Sequence, residues 1–365
     1  MSKYLYLISH PAHFHMFKYS IRELKSKGHE VVAVIRPKDV LEQLCLDSEL
    51  SHIKIKERPK RFGMLGLAWS LLMKDIQILK IVSKEKPDQL IGSDGSLARV
   101  GFIKRIPSFE YSEDDAEAIK LYAIMSFPFY TNIVCPSVTG AWLWNNKKIG
   151  YNSYHELAYL HPNHFKADKT VVEKYFSVDE PYFIIRFANL NAHHDVGISG
   201  INTEIAKRII SILKPHGKIY ITSERSLEAE FEQYRMKIAP LDMHHIMAFA
   251  ELYIGDSQTM AAEAGVLGTP FVRFNDFVGR LSYLNELELN YHLGYGHKTK
   301  DVDGFLQSIK KYIDNPNRKN ENLQKRDKMI SEKIDFAMFQ TWFIENYPES
   351  ARIMRENPDY QYKFR

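Results

Sequence analysis

The feature that most restricts this chain is an alternation of short apolar runs with segments of helical spacing, which occurs as two successive sets. YLYLIS (4–9) is apolar and of strand length. HPAHFH (10–15) reads as a loop. In the following MFKYSIRELKSKG, Met16, Phe17, Ser20, Ile21 and Leu24 share one helical face, and Gly28 is the stop. HEVVAVIRP (29–37) is the next strand. Strand, helix and strand in that order imply a parallel sheet with a right-handed crossover. The pattern continues with a helix over 64–84, a strand within KPDQLIGSDGS (86–96), and strands in IPSFEYSEDD (106–115) and NIVCPS (132–137). Residues 151–178, rich in His, Tyr, Asn and Lys, suit a connection between domains.

A second set starts at PYFIIRFANL (181–190). It reads as helix 199–213, strand KIYITS (218–223), helix 226–234, strand MKIAP (236–240), helix 242–250, strand ELYIGDS (251–257), helix 259–267 and strand TPFVRFN (269–275). Two open α/β sheets in tandem form a cleft, and such sheets bind ligands outside the carboxyl ends of their strands. The segments 10–15, 93–96, 189–197, 223–226 and 255–259 leave those ends. Aromatic spacing in DFAMFQTWFIENYP (335–348) predicts a docking helix. The expected organisation is a Rossmann-like domain over 1–165, a second over 166–334, and a C-terminal helix and tail over 335–365 that cross back to the first.

Composition narrows the function classes. A length of 365 residues suits two domains. Lys plus Arg is 49 against 45 for Asp plus Glu, and a net charge of +4 is too mild to imply nucleic-acid binding. Cys45 and Cys135 form no CxxC, which argues against cysteine-ligated zinc and makes a reducing cytoplasm the default. The N-terminus reads as a strand, not a secretory signal. No run reaches the ~18–20 apolar residues that span a bilayer. The nearest, FGMLGLAWSLLM (62–73), follows the basic KIKERPKR (54–61). Residues 54–73 therefore suit a peripheral contact with an anionic membrane, or a core helix with a solvated basic approach.

The strongest chemical signal is YIGDSQTMAAEAGVLGTPFVRF (253–274). A strand ends and a helix begins at Ser257, Gln258 and Thr259, where unpaired N–H groups and the helix dipole suit a phosphate. Glu263, one turn in, can accept two hydrogen bonds from a ribose hydroxyl pair. A plain N-cap with a capping-region carboxylate also fits. In AHHDVG (192–197), His193, His194 and Asp195 combine two imidazoles and a carboxylate. They suit either proton chemistry or a helix cap and an inter-domain wall.

Further candidates lie elsewhere. His10, His13 and His15 follow the first strand, where a general base near an acceptor is expected; a metal site is a weaker reading. His244 and His245 open a helix and can line the same pocket as Glu263 or be structural. Asp94, Glu110, Glu113, Asp114 and Asp115 are the acidic candidates of the first half. Their EDD run suits a helix cap better than a divalent cation. Tyr154, His155 and Glu156 form a polar-aromatic cluster with no role legible from spacing.

PAHFHMFKYSIRELKSKGHEV, KPDQLIGSDGSLARVG, YHELAYLHP, FANLNAHHDVG, ITSE (222–224 carry Thr, Ser and Glu) and TMAAEAGVLGTP run in an order that resembles the domain-of-unknown-function 354 family, over about residues 4–345. That family is similar to GT-B glycosyltransferases, including the N-acetylglucosaminyltransferase that makes lipid II, and to UDP-N-acetylglucosamine 2-epimerases. The resemblance implies a GT-B fold, two Rossmann-like domains with parallel sheets facing an inter-domain cleft. It implies an acceptor side in the first domain and a nucleotide-sugar donor side in the second. Glu263 would hold the ribose, with Ser257, Gln258 and Thr259 at the diphosphate. His193, His194, Asp195, Ser223, Glu224 and His244 would complete the donor site. His13, or else Glu110 or Asp114, would be the catalytic base.

Pro11 and Ala12 stand where the transferases carry glycines, and the early Arg and acidic pair of the epimerases are not evident. The implied activity is metal-independent transfer of a hexose from a UDP-linked donor to a glycan or lipid-linked acceptor of surface polysaccharide synthesis. No cofactor is expected, and the location is the cytoplasm or the inner membrane face. An epimerase or hydrolase of the nucleotide sugar is the alternative, and a non-catalytic sugar-nucleotide sensor the third.

Overall fold

The computed structural model describes residues 1–56, 63–188 and 200–365, and the chain divides into two units. Met1–Tyr159 and Ile334–Arg365 make the first; Leu160–Lys333 make the second. The first begins with β1 (Lys3–Ile8), α1 (Pro11–Ser26), β2 (Glu30–Ile35), α2 (Leu41–Asp47), β3 (His52–Lys54), α3 (Gly63–Glu85) and β4 (Gln89–Gly92). It continues with α4 (Gly95–Lys104), β5 (Ser108–Tyr111), α5 (Lys120–Ser126), β6 (Asn132–Pro136) and β7 (Lys148–Tyr151). All seven strands are parallel, in the order β3-β2-β1-β4-β5-β6-β7. The order reverses between β1 and β4, the place where a sheet of this kind opens a crevice.

Strand alternation divides the first core. Leu5, Leu7, Val34 and Leu90 pack against Ile78 and Val82 of α3 and Leu97 and Val100 of α4. On the other face, Tyr6 meets Phe17 of α1 with ring centroids 5.2 Å apart.

The second unit contains α6 (Lys169–Glu173), β8 (Tyr182–Phe187), α7 (Thr203–Leu213), β9 (Lys218–Ser223), α8 (Met243–Phe249), β10 (Leu252–Gly255) and α9 (Gln258–Leu267). Then follow β11 (Phe271–Phe274), α10 (Ser282–Asn285), β12 (Gly294–His297), α11 (Val302–Asp314) and α12 (Arg318–Glu332). Its five strands are parallel, in the order β12-β11-β10-β8-β9, and reverse between β10 and β8. Phe183, Ile185 and Phe187 point to a core with Ile205 and Ile209 of α7 and Phe305 and Ile309 of α11. Each such buried side chain contributes about 1.5–3 kcal/mol. The intervening Ile184 and Arg186 point to the opposite face.

α13 (Phe336–Glu345) and α14 (Glu349–Glu356) complete the first unit. Asp335 caps α13 by accepting from Met338 N at 3.1 Å, and Phe343 packs edge-on against Phe109 at 5.5 Å. The aromatic spacing of 335–348 thus marks a helix docked on the sheet.

Three local expectations are corrected. HPAHFH is not a loop: His10 is an N-cap whose Nδ1 accepts from Ala12 N at 3.2 Å, and α1 starts at Pro11. Proline is well suited to a first helical position, because the N–H it lacks would have no helical partner. MKIAP is not a strand; only Arg235, just before it, bridges to Ile221. The segment read as helix 226–234 holds a 3-10 turn over Ala229–Tyr234. Short β3, β7 and β12 were not read from the sequence.

Candidate functional site

In the second unit, the candidate site is built on the carboxyl ends of β8, β9 and β10. The chain leaves β10 at Gly255, and Ser257, in extended conformation, caps α9 through Oγ, which accepts from Met260 N at 3.4 Å. Gly268 ends α9 in the left-handed region at φ 83°, a conformation that costs glycine little. No acidic residue lies in the first turn. Gln258 and Thr259 are half-buried in that turn.

Glu263 is buried one turn further on. Its Oε1 lies 3.0 Å from Nε2 of His244, itself buried at the start of α8. The neighbouring His245 accepts from Asp168 N at 3.0 Å through Nδ1 and tethers the segment before α6.

Asp256 is the organiser that the sequence did not single out. It is only 1% exposed. Oδ1 accepts from Ala188 N at 2.6 Å and Oδ2 from Ile201 N at 3.2 Å, while its carbonyl accepts from Asn275 Nδ2 at 2.8 Å. Burial lifts its pKa to about 6 against the opposing pull of those N–H donors. Asp256 therefore ties both flanks of 189–199 to the start of α9. His193, His194 and Asp195 lie outside the described residues. Ser223 Oγ accepts from Arg225 N at 3.1 Å and donates to Arg225 O at 2.7 Å, which closes a local turn. Glu224 is paired with Arg186 of β8.

In the first unit, the corresponding strand ends gather acids and imidazoles. Asp94, after β4, caps α4 by accepting from Ser96 N at 2.9 Å and also accepts from Ser9 Oγ at 3.3 Å. Burial opposes its charge, but the ion pair with Lys74 and these donors hold its pKa below the usual value. His13, in the first turn of α1, is half-buried, and its Nδ1 has no hydrogen-bond partner. Desolvation and the nearby His10 push its pKa down to about 3, so the ring is neutral across the physiological range.

Glu110 of β5 is fully buried and receives the Tyr122 hydroxyl at 3.1 and 3.0 Å; burial pushes its pKa up to about 8. Asp114 is half-buried in the turn after β5, where its carbonyl accepts from Ser112 Oγ at 3.4 Å.

The EDD run is not a helix cap, because α5 starts only at Lys120. Instead it ties loops together. Asp115 accepts from Gly140 N at 2.7 Å, and Glu113 accepts from His155 N at 2.5 Å. The second Glu113 oxygen lies 3.5 Å from His155 Nδ1. Burial, with Glu156 near enough to repel it, lifts the Glu113 pKa well above the carboxyl range. Desolvation and His13 lower that of His155, whose Nε2 has no hydrogen-bond partner. Glu113, His155, Glu156 and His13 thus form one desolvated group. His13, Glu113 and YHE were separate signals in the sequence, and the 42 residues between Glu113 and His155 kept them from being joined. Among the described residues, no three His, Cys, Asp or Glu side chains converge in a way that would hold a metal ion.

Solved structures share this architecture. The spinosyn rhamnosyltransferase SpnG, complexed with spinosyn aglycone, is 15% identical with a TM-score of 0.59, over 95% of this chain and 100% of that one. MnaA of S. aureus, solved with UDP, is 12% identical with a TM-score of 0.67, over 96% and 97%. The UDP-GlcNAc 2-epimerase of Neisseria meningitidis, bound to UDP-GlcNAc, is 12% identical with a TM-score of 0.60, over 96% and 99%. No curated protein sequence matches the chain. The likenesses establish the GT-B fold. Residues 4–338 match the family model described as "Protein of unknown function (DUF354)", and the chain belongs to that family.

Proposed function

We propose that this protein transfers a sugar from a nucleotide-diphosphate donor, UDP-linked in our reading, to a glycan or lipid-linked acceptor of surface polysaccharide synthesis. The observation that carries the reading is the start of α9, whose first turn holds no acidic residue, together with the buried Glu263 beside His244. In this reading Ser257, Gln258 and Thr259 receive the diphosphate, and Glu263 holds the ribose. The leaving diphosphate is stabilised by N–H groups and the helix dipole, so the reaction needs no metal ion. His193, His194, Asp195 and Ser223 complete the donor site. His13 takes the acceptor proton. Its ring is neutral, as a base must be, and a bound anion would raise its low basicity. Asp114 is the second choice. Glu110 is the third, since its carboxyl is buried under Tyr122.

The proposed location is the cytoplasm, at the inner membrane face. Trp69 and Leu72 of α3 are exposed, as a peripheral contact by 54–73 requires, and 57–62 of that stretch lie outside the described residues. Among the described residues no helix is long and apolar enough to cross a membrane.

A second reading, an epimerase or hydrolase of the nucleotide sugar, is favoured by the desolvated acids Glu110 and Glu113, which can hold protons near neutral pH. Thermal shift with UDP, GDP, CDP and their sugars tests the first reading, since a ligand selective for the native state raises the melting temperature. One stabilising nucleotide, with the shift abolished in Glu263→Ala, supports it; no stabilisation by any of them refutes it. Turnover of the bound nucleotide sugar without an acceptor would move the assignment to the second reading.

A further inference from the structure

The second sheet carries a guanidinium to which the proposed reaction assigns no part. Arg186 lies one residue before the end of β8, at the reversal of strand order between β8 and β10. In register it faces Thr222 of β9 on one side and Gly255 of β10 on the other. Toward β9, Arg186 Nη1 donates to Thr222 Oγ1 at 2.8 Å, and Nη2 is held by the Glu224 carboxylate. Toward β10 the residue in register is Gly255, which has no side chain to bind it. A Cβ on Gly255 would lie 2.9 Å from Arg186 Cβ and 2.6 Å from Tyr253 Oη. Tyr253 is completely buried, its hydroxyl has no hydrogen-bond partner, and neither has Arg186 Nε. Two residues beyond Gly255, Ser257 caps α9. Polar atoms without partners therefore sit beside the α9 start, while the cation is drawn to the opposite side.

We propose that Arg186 is an exchangeable phosphate ligand: it leaves Glu224 for the diphosphate at the start of α9, and Glu224 competes with that anion. This rests on the nucleotide-diphosphate reading of α9 and reverses the role expected for Glu224. The move crosses one strand spacing, about 4.8 Å, which rotation of the outer torsions of an arginine covers. A guanidinium meets a phosphate through parallel N–H donors, and these charge-assisted bonds are stronger than neutral ones. The Glu224 side chain is 26% exposed, so water can solvate it when Arg186 leaves. Affinity for the anion is then reduced by the fraction of molecules in which the ion pair is closed. The two partners of one salt bridge should consequently act with opposite signs, which a merely structural bridge would not do.

The test is calorimetric titration of the full chain with UDP, GDP, CDP and inorganic pyrophosphate, for the native protein, Arg186→Gln and Glu224→Gln. Melting without ligand serves as the folding control. Arg186→Gln should weaken binding about tenfold or more. Glu224→Gln should tighten it about two- to fivefold, the scale of a partly exposed pair. If a nucleotide binds the native protein and Glu224→Gln leaves affinity unchanged or weakens it, the exchange is refuted and the nucleotide reading stands. Should Arg186→Gln fail to fold, the sign of the Glu224→Gln effect decides. Binding of no nucleotide and no pyrophosphate to the native protein overturns both proposals.

Discussion

At the strand ends of the first unit, Glu110 and Glu113 are buried against neutral donors, a tyrosine hydroxyl and a backbone N–H. At those of the second, Glu263 meets His244 and Glu224 meets Arg186, and Glu288 meets the fully buried Arg273 of the adjoining β11. The same residue type thus stands in two environments. A carboxyl with neutral donors and little water keeps its proton to higher pH. A carboxyl beside an arginine or an imidazole instead orients that partner through its hydrogen bonds. On the proposed reading the first environment moves protons and the second holds an anionic ligand. Asp256 crosses the division: it lies in the second unit, yet backbone N–H groups alone hold its side chain among the bonds described here, and its pKa is raised.

The largest effect is expected from His13→Ala, which should lower turnover by about 10²–10⁴-fold while donor affinity is kept. Equal loss of both would place His13 on the binding side. Next is the pH dependence of stability. Glu110 has a folded pKa of about 8 against 4.5, so the native state binds the extra proton, and stability should fall as pH rises from 4.5 through 8. The slope approaches ~1.4 kcal/mol per pH unit. Melting curves of Glu110→Gln should lose that contribution; an unchanged slope would mean that Glu110 ionises normally.

Glu263→Ala should weaken donor binding by ~1–3 kcal/mol, read by titration calorimetry, and unchanged affinity removes the ribose role. Asp256→Asn replaces one acceptor oxygen with a donor facing an N–H. At neutral pH it should cost about 1–2 kcal/mol of stability and speed hydrogen exchange at Ala188 and Ile201. If exchange at those amides is unchanged, the carboxylate is not what holds the two flanks.

Much of the architecture was legible because strand and helix periods are local properties. YLYLIS, HEVVAVIRP and KIYITS carry enough apolar residues to show a buried strand in isolation. The α9 start and stop were equally local, since Ser257 and Gly268 act within a few residues of themselves. β3, β7 and β12 were missed because HIK, KIGY and GYGH each carry only one or two apolar residues, and β12 owes its place to its neighbour β11. MKIAP misled because an alternating pattern is also produced by a segment running alongside a sheet without joining it.

The chain by itself therefore determined most element types and their order, the parallel sheets and the helix that follows GDS, all of which depend on residues near one another in sequence. Only the tertiary structure decided which charge meets which. His244 and Glu263 are 19 residues apart, Arg186 and Glu224 are 38, and Asp256 lies 68 from Ala188. Whether a carboxyl is a buried acid or a paired anion depends on the water and partners that packing leaves it, and those are brought together from distant parts of the chain.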